Sequence, residues 1–283
     1  MAISKINSLA IASVAKVNSL VKASMGKIST LTNVAGWSDS YSLVFDGVND
    51  YVDITDFTFT NQNITISWWV KRQQYIGNGE VMISAFDDIT SDQWYSSFLV
   101  QYWGPDGVRV GVGDNAGSYL FENCGDIGFT HDTWHHFVYT CGAGGETAYL
   151  NPENMALYMD NSLVWEPTFN EEEGSIVGTS SPEYKLYIGK GASGTSTFTG
   201  HMNDIAVHNT VLSSRNISTI YNSGAAIDLT TNVGNYNTAG NLTGYWLMGD
   251  GDTHPTIADQ TTNGNDGTMT NMTSEDIVTD VPS

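Results

Sequence analysis

The sequence predicts an all-β protein, a sandwich of two antiparallel sheets preceded by a separate N-terminal arm. The 283-residue chain is rich in aromatic residues and glycine, with Trp 8, Tyr 14, Phe 10 and Gly 29, and only 14% of it is charged. This composition favours strands over helices. Short segments alternate apolar and polar residues, and turn signals separate them about every ten residues, a spacing typical of a β-sandwich.

The arm, residues 1–36, contains an eleven-residue repeat: ISKINSLAIAS, VAKVNSLVKAS and MGKISTLTNVA. Apolar or small residues recur there at intervals of 3 or 4 residues, and a mean spacing of about 3.67 keeps such a stripe on one helix face. The repeat therefore predicts an anchoring or oligomerising helix, with a trimer favoured. An extended arm remains the alternative, because Asn, Ser and β-branched residues also favour extended chain. The predicted anchoring residues are Ile3, Lys5, Ile6, Val14, Lys16, Val17, Val21, Lys27 and Ile28.

Charge is distributed unevenly along the chain. The formal net charge is −21, yet the arm has four lysines and the first acidic residue is Asp39. A strongly negative body repels nucleic acid and anionic membranes, so neither is expected as a partner. Lys16 and Lys22 interrupt the apolar run that a signal peptide would need, and no uninterrupted apolar stretch is long enough to span a membrane.

The predicted strands follow the arm in order. The segment SYSLVFDGVNDYVDI alternates around Asp46-Gly47, and in NITISWWVKR the residues Ile64, Ile66, Trp68 and Val70 share one face. Further strands are expected at residues 81–86, 97–102, 108–112, 119–122, 133–141, 155–160, 162–166 and 184–190. One short helix is expected after a cap at Ser213 or Ser214, ending at Gly224. We expect residues 37–283 to form the sandwich, which residues 240–283 complete.

Several segments in this order carry a resemblance to a known family. They are SLVFDGVNDYVDI, ITISWWVKR, TWHHFVYT, LYMDNSLV, LYIGK and FTGHMNDIAVHNTVLSSRNISTIYNSG. Together they resemble the laminin G-like, concanavalin A-like lectin/glucanase domain, which implies a jelly-roll sandwich over residues 40–225. The tail GYWLMGDGDTHPTIADQTTNGNDGTMTNM and the N-terminal lysine-asparagine repeat resemble structural proteins of marine and cyanobacterial bacteriophages.

Exposed aromatic side chains are the candidates for sugar binding, because they stack on sugar rings while Asn and Asp bind the hydroxyls. The candidates are Trp69, Trp94, Tyr95, Tyr102 and Trp103. The alternative for each is a place in the core between the two sheets.

The resemblance also implies a calcium ion near a sheet edge, bound by oxygen ligands. The residues of this chain that match are Asp46, Asn49 and Asp50 in one segment and Asn203 and Asp204 in another. The alternative is that the carboxylates accept hydrogen bonds from backbone amides in their own turns.

The sequence does not predict an enzyme. Retaining glycosidases need two carboxylates about 5 Å apart, and the E-x-D-x-x-E pattern of laminarinase-like relatives is absent. His135 and His136 point to opposite faces of one strand. Cys124 and Cys141 can form a disulfide or remain two buried thiols.

These observations together predict a virion structural protein: a capsid decoration, head fibre or tail-associated appendage on the particle surface. The arm would bind other virion proteins, and the lectin-like body would adhere weakly to glycans. The alternative is a secreted carbohydrate-binding module or glycoside hydrolase of the same fold.

Overall fold

The computed structural model describes the larger part of the chain after the arm. The described residues are 39–55, 57, 63–73, 79–87, 96–104, 106–113, 119–143, 150–167, 184–191 and 196–283. The arm with all its anchoring residues, and Trp94 and Tyr95, lie outside them.

The strands pair into two antiparallel sheets of eight strands each. The first sheet contains β1 (Ser42–Asp46), β3 (Ile64–Arg72), β8 (His135–Ala143), β9 (Leu150–Met159), β10 (Ser162–Trp165), β12 (Thr199–His208), β13 (Leu242–Trp246) and β16 (Ile277–Val278). The second contains β2 (Tyr51–Ile54), β4 (Glu80–Asp87), β5 (Ser96–Tyr102), β6 (Gly107–Gly113), β7 (Tyr119–Asp126), β11 (Tyr184–Ile188), β14 (Thr256–Ile257) and β15 (Gly267–Thr270). The prediction of an all-β, jelly-roll-like sandwich is confirmed.

The chain alternates between the sheets from β1 to β4 and again from β10 to β12, whereas β4 to β7 stay in the second sheet and β8 to β10 in the first. The first sheet runs β10-β9-β8-β3-β12-β1-β16, with β13 beside the second half of β12. The second sheet runs β14-β15-β2-β11-β4-β5-β6-β7. The last third of the chain contributes to both sheets, because β13 and β16 join the first and β14 and β15 join the second.

The main core fills the space between the sheets. Alternation along β3 points Ile66, Trp68 and Val70 into this core, where all three are fully buried. The Trp68 ring stacks on Phe137 of β8 with a centroid separation of 5.5 Å. The sequence period of two therefore assigned the inward face of β3 correctly.

A second apolar layer covers the outer face of the first sheet. Helix α1 (Ser214–Tyr221) begins at Ser213, whose side chain accepts a hydrogen bond from the Asn216 amide, while the Asn216 side chain caps Ser213 in return. Asn222 ends the helix in the left-handed conformation. This layer is one buried cluster made by the sheet strands, the helix and the segments beside the helix: Val138, Ala206, Leu212, Ile217, Ile220, Ile227, Leu229, Tyr236, Tyr245 and Leu247.

One buried ion pair crosses the sandwich. Arg72 at the end of β3 is fully buried, and its Nη2 donates to Glu80 Oε1 of β4 at 2.5 Å. The guanidinium carbon also lies 4.3 Å from the centroid of the Tyr102 ring, and Nη1 donates to the carbonyl oxygen of Gly104 at 3.5 Å. This pair therefore joins one sheet to the other and fixes the end of β5.

The two cysteines are free thiols, Cys124 half-buried and Cys141 buried. Burial raises the pKa of Cys124 to about 12, which leaves this thiol a poor nucleophile.

Among the helices of the described residues, none is long and apolar enough to cross a membrane.

We expect Arg72→Met to lower the free energy of unfolding by about 3–5 kcal/mol, because it leaves the Glu80 charge buried without its partner. Urea unfolding measures this. Arg72→Met combined with Glu80→Leu should recover most of the loss, since it removes both charges. Arg215→Met, on the exposed face of α1, is the control and should change stability by under about 0.5 kcal/mol. A loss below about 1 kcal/mol for Arg72→Met would show that the pair does not matter for stability.

Candidate functional site

The turn between β5 and β6 carries an exposed tryptophan, Trp103. The Trp103 amide donates to the Gly107 carbonyl at 2.9 Å, which closes the turn, and Gly104 has a φ of +84°. A Cβ at Gly107 would lie 2.5 Å from the Trp103 carbonyl oxygen, so only glycine fits there. The tight turn leaves the Trp103 side chain 39% exposed.

A groove of about 320 Å³ lies beside this tryptophan at the edge of the second sheet. Its lining consists of Trp103, Asp106, Gly107, Val108, Asn123, Gly125 and Asp126. An aromatic ring, an amide and two carboxylates thus share one concave surface, the combination that sugar binding uses. We call this surface the Trp103 groove.

Arg109 holds the aromatic wall of the groove in place. Its guanidinium carbon lies 3.3 Å from the centroid of the Trp103 ring, and its Nε donates to Asn123 Oδ1 at 2.9 Å. Burial lowers the pKa of Arg109, but a guanidinium stays protonated at neutral pH. The stacked cation therefore fixes both the indole ring and the amide from one side.

Two carboxylates stand at the rim of the Trp103 groove. Asp126 Oδ1 accepts the Gly128 amide at 2.9 Å, which orders the turn after β7. Asp106 is about half-exposed, and its Oδ1 lies 3.9 Å from His131 Nε2. Both acids therefore keep oxygen atoms that can accept hydrogen bonds from a ligand.

Two other aromatic candidates that the structure describes, Trp69 and Tyr102, are buried. Trp69 faces outward from the first sheet but is only 2% exposed. It packs against His136, with centroids 4.7 Å apart, and against Tyr221 of helix α1. Tyr102 points into the main core and is fully buried against Arg72 and Phe129. The prediction of sugar contacts at Trp69 and Tyr102 is therefore corrected, whereas Trp103 lies on the groove.

The predicted calcium residues lie at two separate places. Asp46 pairs with Thr199 and Leu43 pairs with Met202, so Asp46 and Asn203 lie roughly 13 Å apart at about 3.3 Å per residue. Asp46 Oδ1 accepts the amides of Val48 and Asn49, and Asp50 Oδ2 accepts the Asp46 amide. The first segment thus satisfies its own turn, and the five residues do not form one site.

The second segment belongs to a buried acidic cluster. The Asn203 side chain donates to both oxygens of Asp39 at 2.8 Å, and Asp204 Oδ1 accepts the Tyr245 hydroxyl at 2.5 Å. Asp250 Oδ2 accepts the Ser40 and Tyr41 amides. Burial, with Asp250 nearby, raises the pKa of Asp39 to about 7, and burial and Asp39 raise that of Asp204.

Metal binding stays a prediction for this chain. Among the residues that the structure describes, no group of three or more His, Cys, Asp or Glu side chains could hold a metal ion. Protonation can relieve the repulsion between the carboxyl groups of this cluster just as a bound metal ion would, since a buried carboxyl beside another takes up a proton more readily.

The histidine that comes nearest to a catalytic arrangement is His135. Its Nδ1 lies 2.7 Å from Asp160 Oδ2, and its Nε2 lies 2.9 Å from Thr130 Oγ1. The Thr130 amide also donates to Nε2 at 3.3 Å, so Nε2 is the unprotonated nitrogen and its lone pair is already used. This occupation favours a structural role, in which His135 joins the hairpin turn at Asp160 to the segment before β8.

Comparisons with known proteins agree with this architecture. A family model described as the concanavalin A-like lectin/glucanases superfamily matches residues 46–218. A search of curated protein sequences found no significant match.

Solved structures share the fold at low sequence identity. A "putative carbohydrate binding protein" from Bacteroides ovatus aligns with a TM-score of 0.56 and 14% identity, over 90% of this chain and 67% of that one. The CBM40 of the Ruminococcus gnavus IT-sialidase aligns with a TM-score of 0.50 and 12% identity, over 64% of this chain and 96% of that one. A SAP-like pentraxin from Limulus polyphemus aligns with a TM-score of 0.47 and 16% identity, over 65% of this chain and 82% of that one.

We expect the acidic cluster to make the protein less stable as pH rises. A carboxyl whose pKa is raised in the folded state stabilises the fold below its unfolded value of 3.8, and this contribution is lost as pH rises through about 7. Asp39→Asn has no proton to lose at this position, so the variant does not lose stability in this way. The melting temperature of the variant minus that of wild type should therefore increase by roughly 5 °C between pH 4 and pH 8.

Thermal melts in EDTA across this pH range measure the effect. Asp266→Asn, at an exposed site, is the control and should keep a constant difference from wild type. A constant difference for Asp39→Asn as well would contradict the proton-sharing explanation. Melts of wild type with calcium in place of EDTA test the predicted calcium ion at Asn203 and Asp204. A ligand that binds the folded state raises the melting temperature.

Proposed function

Because the chain belongs to the concanavalin A-like lectin/glucanases superfamily, we propose that it is a glycan-binding protein whose binding site is the Trp103 groove. The observation that carries this proposal is the exposed Trp103 ring beside Asn123 and two acidic side chains in one concave surface. Fold neighbours include proteins named for carbohydrate binding, which supports the class of ligand without identifying it.

The groove offers the two kinds of contact that a sugar needs. The C–H face of a pyranose ring packs against an indole, and this contact excludes water from both surfaces. Asn123, Asp106 and Asp126 supply polar atoms for the hydroxyl groups. The site is shallow and small, which fits the weak adhesion expected of a surface-displayed lectin domain.

We propose that binding occurs without hydrolysis. The sequence lacks the paired carboxylate pattern of the hydrolases of this fold, and the hydrogen bonds of His135 favour a structural role. A secreted module or glycoside hydrolase of the same fold remains the competing function. Release of reducing sugar from a bound polysaccharide would favour the hydrolase.

Trp103→Ala should weaken glycan binding at least tenfold, because it removes the apolar surface on which the sugar ring packs. Binding to an oligosaccharide array, followed by titration of the best ligand, measures this. Tyr41→Ala is the matched control, since Tyr41 is 40% exposed, close to the 39% of Trp103, but lies away from the groove at the start of β1. Equal affinity of the Trp103 variant and wild type would locate the site elsewhere.

We also propose that the protein is a structural component of a bacteriophage particle, displayed on its surface. The arm supports this proposal, because its eleven-residue apolar repeat and its four lysines suit a partner surface, whereas the acidic body suits display in solvent. Its partners would be other virion proteins, and self-association through the arm would form a trimer.

Removal of residues 1–35 should release the protein from particles while the sandwich stays folded. Co-sedimentation with purified virions measures incorporation, and thermal melting checks the fold. Full-length protein with Lys5, Lys16 and Lys27 changed to glutamine separates the effect of charge from that of the apolar stripe. Normal incorporation of the truncated protein would contradict an anchoring arm.

A further inference from the structure

The polar groups around the Trp103 groove differ in charge and in availability. On the acidic side, Asp106 and Asp126 line the groove; Asp126 is exposed and the Asp106 side chain is half-exposed. On the basic side, Arg109 contacts two lining residues but is engaged with both, through the Trp103 ring and through Asn123 Oδ1. The groove therefore has two carboxylates on its lining and one guanidinium beside it, so acidic groups outnumber basic ones by two to one.

Ionised carboxylates select for a particular kind of ligand group. They only accept hydrogen bonds, so they recognise hydroxyl and amide N–H donors. A sugar carboxylate or sulfate group has no proton to donate at neutral pH, and it is repelled by both acids. The field of the whole molecule, with a net charge of −21, has the same sign.

The floor of the groove supports close approach of a compact ligand. Gly107 and Gly125 line it, and a Cβ at Gly125 would meet no other atom within 4 Å, so the space above this residue is open. The volume of 320 Å³ is at the lower end of the ~300–1,000 Å³ of small-molecule sites. This room suits the end of a glycan rather than the middle of a long chain.

We propose that Asp106 and Asp126 exclude anionic sugars from the Trp103 groove, so that its ligand is the uncharged, hydroxyl-rich end of a glycan. This inference rests on the proposed glycan-binding function. The indole fixes the ring plane, the two acids accept hydrogen bonds from hydroxyl groups at the ring edge, and the Asn123 amide group can donate to a hydroxyl oxygen. The acids repel uronic, sialic and sulfated residues. Asp106 and Asp126 are thus specificity-determining residues of this site.

The test compares immobilised oligosaccharides that differ in one terminal group. Suitable pairs end in glucose or glucuronic acid, in galactose or galacturonic acid, and in galactose or 6-sulfated galactose. Wild type should bind the neutral member at least about tenfold more tightly, the size expected from two partly screened charges within a few ångströms. Raising the salt concentration should narrow this ratio, since screening weakens the repulsion.

The double variant Asp106→Asn/Asp126→Asn should reduce the neutral-to-acidic ratio to about threefold or less. An asparagine at 126 keeps the side-chain oxygen that accepts the Gly128 amide, so the turn is preserved. Glu166→Gln/Glu275→Gln is the matched control: it removes the same number of charges at exposed sites that do not line the groove, and it should leave the ratio unchanged.

The outcomes separate the inference from the function on which it rests. A wild type that binds acidic members as tightly as neutral ones, or a ratio that the groove variant leaves unchanged, overturns the charge selection while glycan binding stands. Failure of wild type to bind any member of the pairs or any glycan on a wider array overturns the glycan-binding function itself, whereas array binding that Trp103→Ala leaves unchanged places the site outside the Trp103 groove and overturns this inference. A reduced ratio in both double variants would assign the selection to net charge and overturn the role of Asp106 and Asp126.

Discussion

The buried ion pair between Arg72 and Glu80 is the constraint that links the core of this sandwich to its surface. Two charges removed from water must remain paired, so the ends of β3 and β4 are fixed relative to each other across the core. Arg72 also lies over the Tyr102 ring and donates to the Gly104 carbonyl. These two residues flank Trp103, so the position of the exposed indole follows from an interaction inside the protein.

The difference between the two sheets decides where a ligand can bind. Helix α1 and the segment after it cover the outer face of the first sheet with apolar side chains. Trp69 lies under this layer, where burial also lowers the pKa of His136 to about 3 and keeps that imidazole neutral. The first sheet therefore uses its outward aromatic residue for packing, whereas the edge of the second sheet leaves Trp103 free to contact solvent.

Acidic residues perform different tasks in different places. Asp46 and Asp50 accept backbone amides in a turn, Asp280 receives hydrogen bonds from Lys71 and Trp134 near the end of the chain, and Asp39 and Asp204 share a buried cluster. Asp106 and Asp126 face the groove. The same residue type thus supports turns, fastens the C-terminal segment, and sets the charge of the proposed binding surface.

The sequence by itself determined the all-β class, most strand positions, the inward face of β3 and the cap of α1, because these depend on alternation and on local hydrogen bonds. It also placed Trp103 among the sugar-binding candidates. Only the tertiary structure could separate Trp103 from Trp69 and Tyr102, since burial depends on what packs over a residue from distant parts of the chain. For the same reason Asp106, Asn123 and Asp126 gave no signal in the sequence: they come from two separate segments, the β5–β6 turn and β7, and become one surface only when β6 and β7 pair.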